Sequence, residues 1–366
     1  MPYRLHIEKR IDNYPNWFPG IVSVGAVIIA FILSGIVFKL IGGEPIRVFG
    51  FFVRATFGSV PVFTDTLVKA TPLMFVGLAC TVAFKMKLWN IGAEGQFYIG
   101  AWLATAVVMV PFVPETTPKF IVLSLMLICG MIGGAVWGFV PGYLKAKFGV
   151  NEIITTLMLN YVAISWNNYW IFDRWSDGGF QMTPTFAKTA WLPRLADYAK
   201  EVRAFSGITL HLGVLAAIIC TVIIWWILER SRWGYEIKLI GDNPEAARYA
   251  GISITRNVVF VMMLSGALAG LAGTVEITGV VHRLQQQISP GYGFTGIIVA
   301  WLAKLNPIAV ILVSILFGAL IVAAREVQPS GLSQMLQGFI LFMVISSDVL
   351  LRYKVSLVRT TAEVAA

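Results

Sequence analysis

Gly92-Ala-Glu-Gly-Gln-Phe-Tyr-Ile-Gly-Ala-Trp-Leu-Ala104 returns 199 residues later as Gly291-Tyr-Gly-Phe-Thr-Gly-Ile-Ile-Val-Ala-Trp-Leu-Ala303. Both copies end on Ala-Trp-Leu-Ala, at Ala101–Ala104 and Ala300–Ala303, and both are glycine-rich where they begin. What the pair means depends on how many membrane spans lie between the copies. A span needs about 20 mostly apolar residues. About ten such runs occur, near 20–41, 63–84, 91–112, 120–143, 153–172, 208–229, 257–280, 292–304, 306–325 and 332–351. The eighth is short and reads as broken or re-entrant. The copies open the third and eighth runs, five apart, so they cross the bilayer in opposite directions. Inverted repeats with broken helices mark transporters, with the pathway at the repeat interface. Glycine at both starts suits an unwound helix end lining a cavity. Chance recurrence of a tetrapeptide in so apolar a chain stays open as the competing reading. The expected fold is all-α, a polytopic transmembrane helical bundle of about ten spans in two inverted repeats with broken helices.

Composition leads to the same class. Apolar residues make up 57% and charged residues 13%, against about 45–50% and about 25% in soluble domains. Mean hydropathy is +0.77, which leaves no room for a soluble catalytic domain. The first run is too long for a signal peptide, lacks a cleavage site and is followed by more spans, so an uncleaved anchor is expected. With the N-terminus inside, sixteen of the 28 Lys and Arg residues fall in the cytoplasm and ten outside. Lys39 and Lys69 lie near span ends, where they can snorkel. Half of the outer ten sit in one long outer loop, 174–207, where acidic residues nearly balance them. The positive-inside rule is obeyed, and the net charge of +9 reflects this bias rather than nucleic-acid binding. The expected organisation is a cytoplasmic N-terminal segment 1–19, a permease domain 20–351 with a cytoplasmic loop 230–256, and a cytoplasmic tail 352–366. Cys80, Cys129 and Cys220 fall within spans, and His6, His211 and His282 are scattered, so neither a disulfide framework nor a metal site is expected. No cofactor is implied.

Trp233–Ile252 is a polar island between two apolar runs, and reads as a short amphipathic helix at the membrane surface. Asn243 can cap it and Pro244 fits its first position. Glu245 and Arg248 suit the dipole at the two ends, and Gly251 supplies a left-handed stop. Such a helix can dock on a partner, lie on lipid or merely connect two spans. Small residues at Gly130, Gly134, Gly138 and Gly142, and at Gly266 and Gly270, favour close helix packing, read here as packing inside one bundle.

Polar groups inside spans are candidates for the pathway because burying them in lipid is expensive. Glu152, Thr156 and Asn160 form one stripe at i, i+4 and i+8, with Asn167 two turns on. Asn90, Glu94 and Gln96 open the third span and Glu276 ends the seventh. Phe97, Trp102 and Trp301 can stack on a ring. Interhelical hydrogen bonding is the stronger explanation of any one of these residues taken alone and an equal one for the Glu152–Thr156–Asn160 stripe, and Glu94 and Glu152 lie close enough to cytoplasmic ends to be wet. Scattered amides and hydroxyls, without a charge cluster, argue for a neutral, hydroxylated, ring-containing solute.

Three runs converge on a known family: Leu88-Trp-Asn-Ile-Gly-Ala-Glu-Gly-Gln96, Asn151-Glu-Ile-Ile-Thr-Thr-Leu-Met-Leu-Asn-Tyr161 and Gly241-Asp-Asn-Pro-Glu-Ala-Ala-Arg-Tyr-Ala-Gly-Ile252. Together they resemble ABC importer permeases of the simple-sugar and nucleoside (branched-chain) type, closest to the longer permease of nucleoside systems, over about 20 to 350. The resemblance implies a multi-pass protein of the cell (inner) membrane that is not itself an enzyme. Its implied partners are a cytoplasmic ABC ATPase, a second permease subunit in a heterodimer and an extracytoplasmic substrate-binding protein. The chain has no Gly-Lys dipeptide and hence no phosphate-cradling loop of its own. The implied coupling helix comprises Asp242, Asn243, Pro244, Glu245, Ala246, Ala247, Arg248, Tyr249 and Gly251. The implied solute is a nucleoside; the alternatives are a monosaccharide such as ribose, or an ion-coupled carrier acting alone.

Overall fold

Inside lipid a backbone must satisfy its own N–H and C=O groups, so apolar runs of span length fold as helices. The computed structural model describes residues 3–9, 15, 17–40, 42–110, 113–114, 116–324 and 331–359. Its helices are α1 (Phe18–Leu40), α2 (Pro45–Phe57), α3 (Val60–Lys85), α4 (Ala93–Met109), α5 (Lys119–Phe148) and α6 (Glu152–Tyr169). They continue as α7 (Gly213–Arg230), α8 (Arg232–Asp242), α9 (Pro244–Tyr249), α10 (Ile254–Glu276), α11 (Tyr292–Leu302), α12 (Pro307–Ala324) and α13 (Leu332–Arg352). Each of the expected spans is a helix. Among the described residues α1, α3, α5, α7 and α10 are long and apolar enough to cross a membrane; the apolar stretches of α11, α12 and α13 are shorter. Helix α2 was not expected from the sequence, and the polar island holds two helices, α8 and α9, rather than one.

Two units divide the chain. The first comprises residues of 1–50 and 327–366. In it α1 packs on α13. Helix α1 buries Ser23, Ala26, Ala30, Ser34 and Phe38, three or four residues apart, and exposes Ile21, Val24, Ile28 and Ile32. That is one packed stripe with apolar side chains left for lipid. The helical reading needs one addition here. Strand β1 (Tyr3–Lys9) pairs antiparallel with β2 (Tyr353–Arg359), from Tyr3 opposite Arg359 to Lys9 opposite Tyr353, so both flanks of the chain meet in one ribbon.

The second unit, residues 51–326, is centred on α3 and α10, which are buried on nearly all sides and pack on each other. Helix α3 also packs against α11 and α12, while α10 packs against α4 and α5. Each half thus wraps the central helix of the other, as two copies related by a pseudo-two-fold axis would. Between α5 and α10 the backbones touch: a methyl group at Gly134 would fall on the carbonyl oxygen of Gly266. The small-residue stripe serves packing within this bundle.

The segment between α6 and α7 is more ordered than a loop reading implies. It runs through a π-turn (Trp170–Arg174) and three short 3₁₀ turns. Its backbone is tied to the chain beyond α10, with Thr183 N donating to Leu284 O (2.8 Å), Phe186 N to His282 O (2.8 Å) and Leu192 N to Thr278 O (2.9 Å). It forms a strap across that end of the bundle.

Candidate functional site

The two repeat segments meet at their starts. Gly291, at φ +93°, turns the chain into α11, and Ser289 Oγ accepts hydrogen bonds from Gly291 N (3.1 Å) and Tyr292 N (2.9 Å). Gly293 N donates to Glu94 Oε2 at 2.6 Å. Glu94 and Gly293 are equivalent positions of the two copies, and equivalent residues can touch only near the axis relating them. Chance recurrence gives no reason for such a contact. A carboxylate suits this place because the first N–H groups of a helix such as α11 have no acceptor within the helix, and the positive end of its dipole lies there. Gly293 is required by the approach itself, since a Cβ would fall on the Glu94 backbone. Glu94 is therefore buried, not wet. Glu152 is buried too, and pairs with Lys145 at 2.8 Å.

The remaining polar candidates hold the unwound start of α4. Asn160 Oδ1 accepts from Gly95 N (2.8 Å), and Asn160 Nδ2 donates to Ile91 O (2.9 Å). Asn90 Nδ2 donates to Gln96 Oε1 (2.9 Å) and to Ser265 Oγ (2.8 Å), while Asn90 Oδ1 accepts from Gly92 N (3.1 Å). Thr156 Oγ1 donates back to Glu152 O at 2.6 Å. The bonds of Asn90 and Asn160 are used inside the fold, where they replace helical partners that the start of α4 lacks, whereas the Thr156 hydroxyl bonds back within its own helix α6. Asn167 differs: it is fully buried and neither of its amide atoms has a partner.

The aromatic candidates separate. Phe97 is buried against Tyr292, ring centroids 5.8 Å apart. Trp102 packs among Trp166, Trp170 and Trp175 at 5.4–6.0 Å. Trp301 packs with Phe84 (6.0 Å) and Trp89 (5.7 Å), at the opposite end of the bundle. The repeat-equivalent tryptophans therefore occupy two clusters rather than one.

At the end of the bundle where α3 terminates, the polar island forms a rigid platform. Ser231 caps α8 through a hydrogen bond from Gly234 N (3.0 Å). Trp233 Nε1 donates to Asn257 Oδ1 (2.7 Å), and Asn257 Nδ2 donates to Glu236 Oε2 (2.9 Å), tying α8 to α10. Asn243 Oδ1 accepts from Ala246 N at 3.1 Å, with Pro244 in the first turn of α9. Gly251, at φ +76°, donates to Arg248 O (3.0 Å), and Ile252 N donates to Ala247 O (3.0 Å). Of α9 only Ala247 is buried; Pro244, Glu245, Arg248 and Tyr249 are exposed, Tyr249 at 93%. Asp242 ion-pairs with Lys87 at 3.5 Å. A cleft of about 1000 Å³ opens beside α9, lined by Arg232, Trp233, Glu236, Ser253, Arg256 and Phe260.

Sequence reasoning missed the cluster under the strap. Lys69 does not snorkel: its Nζ lies 2.8 Å from Glu276 Oε1, with side-chain exposures of 11% and 2%. Snorkelling fails because Lys69 faces α10, and an ammonium buried in protein needs a counter-charge. The two histidines read as scattered converge here as well. Arg194, from the strap, donates to Gly279 O (2.6 Å) and lies 2.5 Å from His282 Nε2. The His211 ring lies against Gly279, and Trp191 stacks on His282 with centroids 3.8 Å apart. Burial, with the Arg194 guanidinium nearby, lowers both histidines to about 4. No sequence spacing signals this cluster, because its members come from α3, the strap and the end of α10.

The fold, the inverted repeat and the exposed platform define a membrane permease subunit. Residues 62–345 match the family described as "Branched-chain amino acid transport system / permease component", and the chain belongs to that family. It is 32% identical to the glucose ABC transporter permease protein TsgB13 of Haloferax volcanii, over 96% of this chain and 95% of that protein. It is 32% identical to the guanosine ABC transporter permease protein NupP of Bacillus subtilis, over 89% and 93%. Identity to the nucleoside ABC transporter permease protein NupB of Lactococcus lactis is also 32%, over 85% of each. No solved structure matches the chain.

Proposed function

We propose that this permease subunit moves nucleosides through the cell membrane, driven by a separate cytoplasmic ATPase that seats on α9. The observation that carries the coupling half is the geometry of α9, a helix capped at both ends on a braced platform, with Glu245, Arg248 and Tyr249 turned out. A rigid exposed aromatic flanked by charges is the composition of an interface anchor. ATP-driven closure of the motor would push α9 and, through α8 and α10, rock the two repeats about their shared axis. The positive-inside bias supports a cytoplasmic α9 and cytoplasmic termini. A second permease and an extracytoplasmic binding protein complete the assembly.

For the solute, two of the three relatives at 32% identity are named for nucleosides. The equal identity of a glucose permease supports a monosaccharide as the second reading. Radiolabelled uptake by the assembled system, competed with adenosine, uridine, ribose and AMP, separates the two. Adenosine and uridine should compete and AMP should not; ribose competing while both nucleosides fail would give the sugar reading. Reversing the charges of Glu245 and Arg248 together should weaken ATPase association and uptake while leaving insertion intact. Uptake by this chain alone, without ATP, would overturn the coupling scheme in favour of an ion-coupled carrier.

A further inference from the structure

Beneath the strap lies a cavity of about 310 Å³, lined by Asp65, Lys69, Arg194, Thr209 and the backbone at Gly279. It lies about 24 Å along α3 from the platform carrying α9, the rise of the residues between Lys69 and Lys85, and on the topology above it faces the outside. The volume is at the small end of ligand sites.

The chemistry of its walls is specific. Lys69 pairs with Glu276, Arg194 lies beside Asp197 and Asp65 stands at the wall, so the cavity offers an anion no surplus of positive charge. Lys69 has three N–H donors, of which Glu276 Oε1 takes one. Glu276 Oε2 is buried with no partner. Asp65 accepts from Thr209 Oγ1 through Oδ1, at the half-buried mouth. A carboxylate and an ammonium side by side complement adjacent hydroxyl groups, since each hydroxyl both donates and accepts. An isolated ion pair this deep costs several kcal/mol of desolvation, and its retention beside a cavity is the usual mark of a functional position in a membrane protein.

We propose that this cavity is an outer way-station for the solute, and that it holds a neutral compound through a pair of adjacent hydroxyls, as on a ribose ring. Asp65 accepts from the diol and Lys69 donates to it, while Arg194 holds the strap over the site through Gly279. The inference rests on the transport reading above and adds to it the part of the solute that is gripped.

The test compares uridine with 2′,3′-dideoxyuridine in the reconstituted assembly of permease, ATPase and binding protein. Asp65→Asn should raise KM for uridine roughly ten-fold, the effect of losing a charge-assisted hydrogen bond, and should move KM for dideoxyuridine less than about two-fold. Binding-protein affinities are measured separately and divided out. Equal shifts for both solutes, or none for either, would overturn the site. A second measurement reads the cavity directly: Thr209→Cys in a cysteine-free background should react more slowly with a water-soluble thiol reagent when uridine is present, but not with dideoxyuridine. Protection by both or by neither counts against the diol grip. An unaltered assembly that transports neither uridine nor ribose would sink the transport reading, and the labelling experiment would still decide the site.

Discussion

At the scale of single residues, the buried charges are the informative ones. Glu94 holds the N-terminus of α11 through Gly293 N. Glu94→Ala leaves that donor unsatisfied and should cost about 1–3 kcal/mol of stability, whereas Glu94→Gln keeps an acceptor and should cost less. Thermal unfolding in detergent checks the order, and equal losses would remove the hydrogen bond as the cause. The histidines under the strap give a pH signature. Their folded values, about 4, lie below the ordinary 6.5, so the neutral form is favoured by folding. Their contribution is complete above about 6.5 and is lost as pH falls from there toward about 4. The melting temperature should decline across that window, and His211→Gln should flatten the decline. These residues were individually visible in the sequence, but their partners were not: Lys69 and Glu276 are separated by 207 positions.

At the scale of elements, α9 was legible because its signals are local. Asn243, Pro244 and Gly251 act within one or two turns of their own backbone, so sequence order specifies the geometry, and the structure agrees at each of them. Removing the cap with Asn243→Ala should cost about 1 kcal/mol and loosen α9 against its partner. Uptake per ATP hydrolysed should then fall more than ATPase activity itself. A proportional fall in both would mean that the cap serves folding alone. Helix α8 does not stand out as a separate element in the sequence although Ser231 is a cap residue, because Trp233–Asp242 runs straight on into α9 within one polar stretch. Helix α2 gives no span signal because Pro45–Phe57 mixes Arg47 and Arg54 into an apolar segment shorter than a span. The strap reads as a loop in the sequence because it has no periodic pattern; its order comes from bonds to backbone about 85–100 positions away.

At the scale of the molecule, packing is organised by the exchange of central helices between the halves. The contact of α5 with α10 relies on bare backbone, so Gly134→Leu should disrupt the bundle by overpacking and reduce assembly in the membrane, while the same change at Gly20, which has open space around it, should be tolerated. Expression and monodispersity in detergent compare the two. The sequence by itself determined the class, the helical nature of each span-length apolar run, the inverted relation of the repeats and the capped surface helix, because hydropathy, an odd number of spans and capping chemistry all act along the chain. Only the tertiary structure decided that Glu94 sits on the repeat axis, that the amides of α4 and α6 serve a broken helix, and that Lys69, Arg194 and two histidines gather under one strap. Those outcomes depend on which face of each helix meets which neighbour across many turns, and in a chain this apolar nearly every face can be buried, so the pattern of hydrophobic residues does not choose among them.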